Sequence, residues 1–398
     1  MRWENRFLDL VADFCLGKML DEKKNRGEAF PYLANINVRW GEFDLKDLRL
    51  MRFESDEMER YGLKFGDIVM CEGGEPGRCA IWREQLPGMM IQKALHRIRP
   101  HDCLDYRFLY YSFLQMGKTG RFSGFLTGAT IKHLPRQNLA KLEIAVPPLS
   151  LQLRIADILS SYDDLIENNR RRMGLLEEAA RLLYQEWFVR LRFPGHEHTH
   201  ITNGVPEGWG KVTAFDAMSI MSGGTPKTTT PDFWDGDIPF YTPKDSVDSS
   251  YVLDTEKHVT ELGLKKCNSK LYRKDTIFIT ARGTVGNLNL AQRPMAMNQS
   301  CYALEGQHGI PQKLLFCALR EAIQHFQQHA SGAVFDAIIV DTFKLIPFII
   351  PDKSLIAIFE ANIEPMFRQI ENLLLSNQKL RAARDLLLPR LMSGELAV

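Results

Sequence analysis

A long charged segment occurs twice in this chain, and the repeat limits the possible folds more than any other feature. LIENNRRRMGLLEEAARLLYQEW occupies residues 165–187, and QIENLLLSNQKLRAARDLLLPRL occupies residues 369–391. Ile166, Glu167 and Asn168 recur 204 positions later, and so do three leucines of the first copy: Leu176, Leu182 and Leu183. Internal repeats of this kind indicate an architecture built from equivalent units.

The similarity extends upstream of the charged segments. Pairs with the same spacing are Gly128 and Gly332, Ala129 and Ala333, Pro147 and Pro351, and Ser150 and Ser354. KFGDIVM (64–70) also resembles RKDTIFI (273–279), and an apolar strand that ends in proline precedes each charged segment, LEIAVPPLS in one case and LIPFIIPDKS in the other. We therefore predict two halves, each with a mixed α/β region, an exit strand and a helical region.

The charged segments carry apolar residues at heptad positions, which is typical of a helix that pairs with another helix. A single amphipathic helix usually packs on its own domain, but two copies favour mutual pairing. Antiparallel pairing would relate the halves by an approximate two-fold axis, with the asparagines fixing the register. The predicted pairing residues are Ile166, Asn169, Met173, Leu176, Leu183, Ile370, Leu373, Asn377, Leu380 and Leu387.

Local signals predict where these helices start and where they are interrupted. Ser150 and Ser354 follow the prolines at positions suited to an N-cap. Ser160 with Ser161, and Pro365 in the second half, predict a short helix, a break and then a long helix.

The resulting fold class is α+β, with two α/β domains joined by two long helices that pair as an antiparallel coiled coil. The predicted domains are residues 1–149 and 205–349, and the predicted helical regions are 150–204, which includes a linker, and 350–398. The apolar stretch 343–360 is interrupted by Pro347 and Pro351, so we predict a buried strand and a helix there, with no membrane span.

Composition places the chain among ordinary globular proteins. It has 398 residues, 45% of them hydrophobic and 25% charged, with a net charge of +1. This near neutrality counts against a protein that binds nucleic acid tightly by itself, because phosphate neutralisation supplies much of that affinity. The seven cysteines form no C-x-x-C pair, and the first residues lack the features of a secretory signal, so we expect a cytoplasmic protein with reduced thiols.

Signals for catalysis are weak. SFLQMGKTG (112–120) ends like a phosphate-binding loop but has Ser112 where glycine is required. His196, His198 and His200 could bind a metal, although the surrounding residues are typical of an interdomain linker. The sequence thus predicts a binding protein without catalytic or metal-binding residues of its own.

Loops rich in glycine, threonine and basic residues suit DNA contacts, although the same composition is found in ordinary solvated loops. They are CEGGEPGRCAIW (71–82), FLTGATIKHL (125–134), SGGTPKTTTPDFWDGDIPFYTPKD (222–245) and ITARGTVGNLNL (279–290), of which the last is predicted to be a hairpin.

Together with the central helical stretch at 151–195 and the GEL near the C-terminus, the second-half motifs GGTPKTTTPDFWDGDIPFYTPKD and ARGTVGNLNL resemble the specificity subunit of type I DNA restriction-modification systems. The resemblance covers nearly the whole chain. It implies that each α/β domain is a target recognition domain for one half of a split double-stranded DNA sequence, while the helices set the spacing and dock methyltransferase subunits.

The resemblance also implies that catalysis belongs to partners. These are a modification subunit that uses S-adenosylmethionine to methylate adenine, and a motor-nuclease subunit that requires ATP and Mg2+. No membrane is involved. The positions that match DNA-contacting loops are Arg78, Gln92, Lys93, Thr130, Lys132, His133, Thr225, Lys227, Thr242, Lys244, Arg282, Thr284 and Gln299.

Two alternatives remain open at the level of sequence. The chain could be the recognition partner of a methyltransferase alone, or of another methylation-based defence system. It could also be a non-catalytic coiled-coil scaffold whose α/β domains bind protein, which the near-neutral charge favours and the glycine- and threonine-rich loops disfavour.

Overall fold

The computed structural model describes residues 3–21, 25–329 and 337–398, and side chains at 326–329 lie outside the description. The chain divides into two compact units. Unit 1 comprises Met1–Leu165 and Leu380–Val398, and unit 2 comprises Ile166–Lys379. Both units therefore contain part of each repeated helical segment.

In the described part of unit 1, eleven short strands and three α-helices precede the first long helix. The strands are β1 (Glu4–Phe7), β2 (Ala12–Leu16), β3 (Glu28–Leu33), β4 (Val38–Arg39), β5 (Glu42–Phe43), β6 (Arg49–Phe53), β7 (Ile68–Cys71), β8 (Cys79–Ile81), β9 (Met90–Ile91), β10 (Leu95–Pro100) and β11 (Glu143–Val146). The helices are α1 (Met58–Tyr61), α2 (Tyr106–Lys118) and α3 (Arg136–Leu139), and they are followed by the first long helix, α4 (Leu149–Tyr184).

The main sheet of unit 1 is antiparallel, with strand order β2-β10-β7-β8. Helix α2 packs on this sheet and buries Phe108 and Phe113 against apolar strand residues such as Ile68 and Ile98. Its N-terminus is capped by Asp105, whose carboxylate accepts hydrogen bonds from two backbone N–H groups. A smaller sheet of order β6-β3-β9 flanks the main one, and β1 pairs with the exit strand β11.

Unit 2 repeats this plan. Its strands are β12 (Ile201–Thr202), β13 (Val205–Pro206), β14 (Gly210–Thr213), β15 (Met218–Ser222), β16 (Trp234–Tyr241), β17 (Tyr251–Val252), β18 (His258–Val259), β19 (Ile277–Thr280), β20 (Leu288–Ala291), β21 (Ala296–Met297), β22 (Cys301–Gly306) and β23 (Pro347–Ile350). Its helices are α5 (Ala214–Ala217), α6 (Glu261–Lys265), α7 (Gln312–His329) and α8 (Val340–Lys344), followed by the second long helix, α9 (Lys353–Met392).

The main sheet of unit 2 has the order β15-β22-β19-β20-β17, so its first four strands correspond in order to β2-β10-β7-β8. Strand β14 pairs with the exit strand β23, as β1 pairs with β11. The internal repeat, the exit strands and the hairpin at 279–290, formed by β19 and β20, are confirmed. The matched pair Gly332 and Ala333 lies outside the described residues.

Neither long helix is broken inside: α4 has 36 residues and continues into the π-helical turn Gln185–Val189, and α9 has 40 residues. The predicted breaks at Ser160 with Ser161 and at Pro365 are wrong. Phe359, Ile363 and Phe367 are buried on both sides of Pro365, and this packing outweighs the hydrogen bond that a proline removes from a helix.

The predicted serine caps are also wrong. Asp352 accepts hydrogen bonds from the backbone N–H groups of Ser354 (2.8 Å) and Leu355 (3.0 Å), so the carboxylate one residue before α9 serves as its cap. Helix α4 starts directly after Pro148, whose carbonyl accepts the first bonds of the helix. Proline suits a helix start because it lacks the N–H group that would otherwise be unpaired.

The two long helices run antiparallel, as two contacts in unit 2 show. In unit 2, Asn169 contacts Asn377, while Tyr184, further along α4, packs on Phe359, which is earlier in α9. In unit 1, Asp163 pairs with Arg384. Opposite directions of numbering at these contacts confirm the predicted antiparallel coiled coil.

The predicted pairing residues differ in burial. Six of them are buried in unit 2: Ile166, Asn169, Met173, Ile370, Leu373 and Asn377. Leu176 and Leu183 are partly buried against the same core, whereas Leu387 is partly buried in the core of unit 1 and Leu380 is half-buried. Within the described ranges, no helix is both long and apolar enough to cross a membrane.

Candidate nucleic-acid interface

Three segments of unit 1 meet at one edge of its main sheet, which is formed by the C-terminal ends of β2 and β7 and the N-terminal end of β10. The loop that follows β7 begins at Glu72, whose N–H donates to the carbonyl of Ala94 at 2.9 Å. The carbonyl of Glu72 in turn accepts from the N–H of Leu134 at 2.8 Å. The backbone of Glu72 therefore ties the loop 72–78 to the turn before β10 and to the segment 127–134.

Unit 2 forms the same edge with the same two backbone hydrogen bonds. The N–H of Ala281, just after β19, donates to the carbonyl of Ser300 at 2.8 Å, and the N–H of Ile338 donates to the carbonyl of Ala281 at 2.9 Å. Ala281 thus takes the place of Glu72. The two units therefore share the same backbone hydrogen bonds at the edge where the predicted loops lie.

A close backbone approach at this edge also occurs in both units. A Cβ atom on Gly17, directly after β2, would lie 2.4 Å from the carbonyl oxygen of Gln92. A Cβ on Gly223, directly after β15, would lie 2.1 Å from the carbonyl oxygen of Asn298. Glycine is required at both positions because any side chain would overlap with the backbone of the neighbouring turn.

The predicted DNA-contacting residues of unit 1 lie along this edge. They differ in the exposure of their side chains and in the hydrogen bonds that these side chains already form. Gln92 is half-buried, and its side-chain oxygen accepts from the N–H of Ala94 at 3.3 Å. Arg78 donates to Glu75 at 2.8 Å and to the carbonyl of Asn35 at 3.0 Å, and its side chain is only 16% exposed. Its guanidinium therefore braces the loop. The remaining four are exposed: Lys93, Thr130, Lys132 and His133.

In unit 2 the predicted residues lie on four loops, which side-chain hydrogen bonds connect in two pairs. Thr225 donates to the side-chain oxygen of Gln299, and both residues are exposed. The hydroxyl of Thr284 lies 3.4 Å from the carbonyl of Pro243, which joins the β19–β20 loop to the loop after β16. Thr242 donates to Asp245 at 2.6 Å. The cationic residues of this edge are all exposed: Lys227, Lys244 and Arg282.

His96 is a buried residue that was not identified from the sequence, and it contacts the backbone of the edge segment in unit 1. It is fully buried on β10, and its Nε2 lies 2.8 Å from the carbonyl oxygen of Leu134. Burial lowers the pKa of His96, so the imidazole is neutral at pH 7 and its Nε2–H donates this bond. A buried histidine has no distinctive local sequence signature, and only the fold reveals this contact.

Each unit fastens its α/β region to a long helix by polar contacts. In unit 1, Arg83 pairs with Asp164 of α4 at 2.8 Å. In unit 2, the carboxylate of Glu177 on α4 accepts from the N–H and the hydroxyl of Ser250 at 2.6 and 2.7 Å. These contacts join the α/β region of each unit to the part of α4 that lies in that unit.

The π-helical turn Gln185–Val189, which directly follows α4, is part of the core of unit 2. Trp187 and Phe188 are buried and both contact the ring of Phe359 on α9, with centroid distances of 5.7 and 4.9 Å. These side chains therefore stabilise the helix pair. The histidine-rich segment follows, and His196 contacts the carbonyl of Phe193 at 2.8 Å. Over the described part of the chain, no three histidine, cysteine or acidic residues are arranged to hold a metal ion.

Comparison with known proteins identifies the family. The model of the type I restriction modification DNA specificity domain matches residues 2–178 and 206–359, one match in each half of the chain. The chain is 27% identical to the MjaIX specificity subunit of Methanocaldococcus jannaschii, over 84% of this chain and 78% of that one. It is 22% identical to the HindI specificity subunit of Haemophilus influenzae, over 84% and 87%.

A solved structure shares the fold. The crystal structure of the type I restriction-modification S subunit from M. genitalium aligns with 98% of this chain and 96% of its own, with a TM-score of 0.54 and 17% identity. The family match covers most of the chain and both of its halves. The chain therefore belongs to the type I restriction-modification DNA specificity family, whose members are the non-catalytic sequence-recognition subunits of their enzymes.

Proposed function

We propose that each unit reads one half of a bipartite double-stranded DNA target through the sheet edge described above. The main support is the repeated geometry of the two edges, in which the same backbone hydrogen bonds join three loops in each unit. Side chains of different identity project from these equivalent frames. Two equivalent frames with different side chains suit a split target whose halves differ in sequence.

The edges supply hydrogen-bonding groups for this task. Exposed lysines and Arg282 can reach phosphates or guanine, and the threonine hydroxyls and Gln299 can reach phosphates or base edges. The chain as a whole carries a net charge of only +1. Partner subunits would therefore contribute much of the phosphate neutralisation that DNA affinity requires.

The long helices are the proposed docking site for methyltransferase subunits. Five leucines on them remain at least 43% exposed: Leu149, Leu165, Leu175, Leu182 and Leu386. Exposed leucines along a helix that already has a buried seam provide apolar area for a further protein. Because α4 and α9 each have residues in both units, we further propose that they set the spacing between the half-sites.

Catalysis would then reside in the partners. A modification subunit would methylate adenine with S-adenosylmethionine, and a motor-nuclease subunit would use ATP and Mg2+. The chain itself would carry no cofactor and would work in the cytoplasm. We propose domain boundaries at residues 149, 204 and 349, which separate the two α/β domains from the helical regions.

Methylation mapping tests the proposal. Adenine methylation is mapped in DNA from cells that express this chain with the methyltransferase encoded next to it. We expect a split motif with a fixed gap. Exchanging residues 205–349 for those of another specificity subunit should change one half, and exchanging residues 1–149 should change the other. A methylation pattern that ignores both exchanges would contradict the assignment.

A further inference from the structure

A short hairpin at the edge of unit 1 carries an exposed apolar side chain at its tip. Thr127 and His133 exchange two backbone hydrogen bonds of 2.9 Å each, which closes the turn between them. Ile131 lies in this turn and is 64% exposed. Its neighbours Thr130 and Lys132 are also exposed.

The hairpin backbone is held tightly. Gly128 has a φ of +96°, and a Cβ at that position would lie 2.1 Å from the carbonyl oxygen of Ile131. His133 also forms a β-bridge with Gly73 in the loop after β7. The next residue, Leu134, is fixed by Glu72 and by the buried His96. The tip is thus attached to the edge at several points.

Isolated exposed apolar residues are common on protein surfaces. Ile131 differs in its setting, because it projects from a pinned turn between residues suited to DNA contact, and Lys132 places a cation beside it. The major-groove edges of base pairs display hydrogen-bonding groups and one apolar group, the 5-methyl of thymine. An isoleucine on a DNA-reading edge is chemically matched to that methyl group.

We propose that Ile131 packs against the 5-methyl group of a thymine in the half-site read by unit 1, an inference that rests on the proposed DNA-reading function. This contact makes Ile131 a specificity-determining residue. Burying one methyl group changes affinity by roughly four-fold. The contact discriminates thymine from cytosine, which lacks the methyl group and presents an amino group instead.

The test measures binding of the complex of this chain with its methyltransferase to duplexes in which single thymines of each half-site are replaced by deoxyuridine. Deoxyuridine removes only the methyl group. For the unaltered chain, we expect one replacement in the unit 1 half-site to weaken binding roughly four-fold. The I131A complex should bind the thymine duplex about four-fold more weakly and should lose nothing further on that replacement.

Leu10→Ala is the matched control. Leu10 is also 64% exposed, but it precedes β2, whereas the edge lies beyond the other end of that strand at Gly17. The L10A complex should bind both duplexes like the unaltered chain. Either substitution removes an exposed side chain, so neither should disturb folding.

The inference is overturned if I131A stays as sensitive to deoxyuridine as the unaltered chain, or if no thymine in the unit 1 half-site matters. Failure of the proposed DNA-reading function would give a different result in the same binding measurements. In that case, scrambling the half-site assigned to unit 2 would also leave binding unchanged, and the complex would show no sequence preference.

Discussion

The side-chain amide of Asn169 on α4 donates a 2.8 Å hydrogen bond to the side-chain oxygen of Asn377 on α9. Both residues are buried, and Asn377 also donates to the carbonyl of Ile166 at 3.2 Å. The surrounding seam is apolar. Paired asparagines in such a seam fix the helix register, because a shifted helix would leave each amide buried without a partner.

Asn377→Leu should therefore destabilise unit 2 by about 1–3 kcal/mol, since it leaves the amide of Asn169 without its acceptor. The double variant N169L/N377L should recover most of this loss, because both polar groups are then gone. Unfolding free energies of the single and double variants measure the coupling between the two residues. Strictly additive losses would show that the observed hydrogen bond has no energetic role.

Glu360 on α9 should make the stability of unit 2 depend on pH. Burial raises the pKa of Glu360 to about 7, and nearby Glu364 adds to the rise while Lys313 opposes it. Its Oε1 atom is buried without a hydrogen-bond partner. Because the folded-state pKa exceeds the unfolded value, the folded state binds the proton more tightly. The contribution to stability is full below about pH 4.5 and is lost as pH rises towards 7.

Glu360→Gln removes the buried charge and keeps the shape. We expect it to stabilise the protein by roughly 1 kcal/mol at pH 8, allowing for partial solvent screening, and to have little effect at pH 5. Glu364→Gln is the control, because Glu364 pairs with Lys313 at 2.7 Å and its loss should destabilise. Denaturation at both pH values measures these effects. A Glu360→Gln effect independent of pH would exclude titration of this carboxylate.

Arg282→Ala should weaken recognition of one half-site only. Arg282 is exposed in the β19–β20 loop of unit 2, and loss of a guanidinium contact to guanine should lower affinity by about ten-fold or more. Arg293→Ala serves as the control, since Arg293 follows the other end of β20 and pairs with Asp254 at 2.9 Å. Binding to duplexes with single changes in either half-site is the measurement. An equal loss of discrimination at both half-sites would contradict the assignment of unit 2 to one half.

Sequence patterns predicted the features that depend on chain-wide regularity. The repeat, the exit strands and the antiparallel helices were all readable because apolar positions recur with fixed spacing. The helix cap was missed because Ser354 and Asp352 are both good caps, and only backbone geometry selects between them. The predicted break at Pro365 failed because the buried Phe359 and Phe367 hold the helix together on both sides.

The candidate interface was predicted less completely, because the availability of a side chain depends on its folded partners. Arg78 looks like a DNA contact in the sequence, yet in the fold it binds Glu75 and the carbonyl of Asn35. Ile131 shows the opposite case, since an isoleucine in a sequence suggests a core position but this one is exposed. Neither outcome has a local sequence signal.

Gly128, which recurs in the sequence as Gly332, sets the geometry of the hairpin that carries Ile131. Its positive φ and the 2.1 Å approach of a Cβ to the carbonyl of Ile131 leave no room for a side chain. Gly128→Ala should therefore open the hairpin and displace its tip, so that the unit 1 half-site is lost while the unit 2 half-site is still read. Gly124→Ala is the control, because a Cβ there meets no atom within 4 Å. Methylation of targets altered in one half distinguishes the outcomes. If G128A still reads both halves, hairpin geometry does not matter for recognition. If it loses both, the substitution acts through general unfolding, which a thermal melt would reveal.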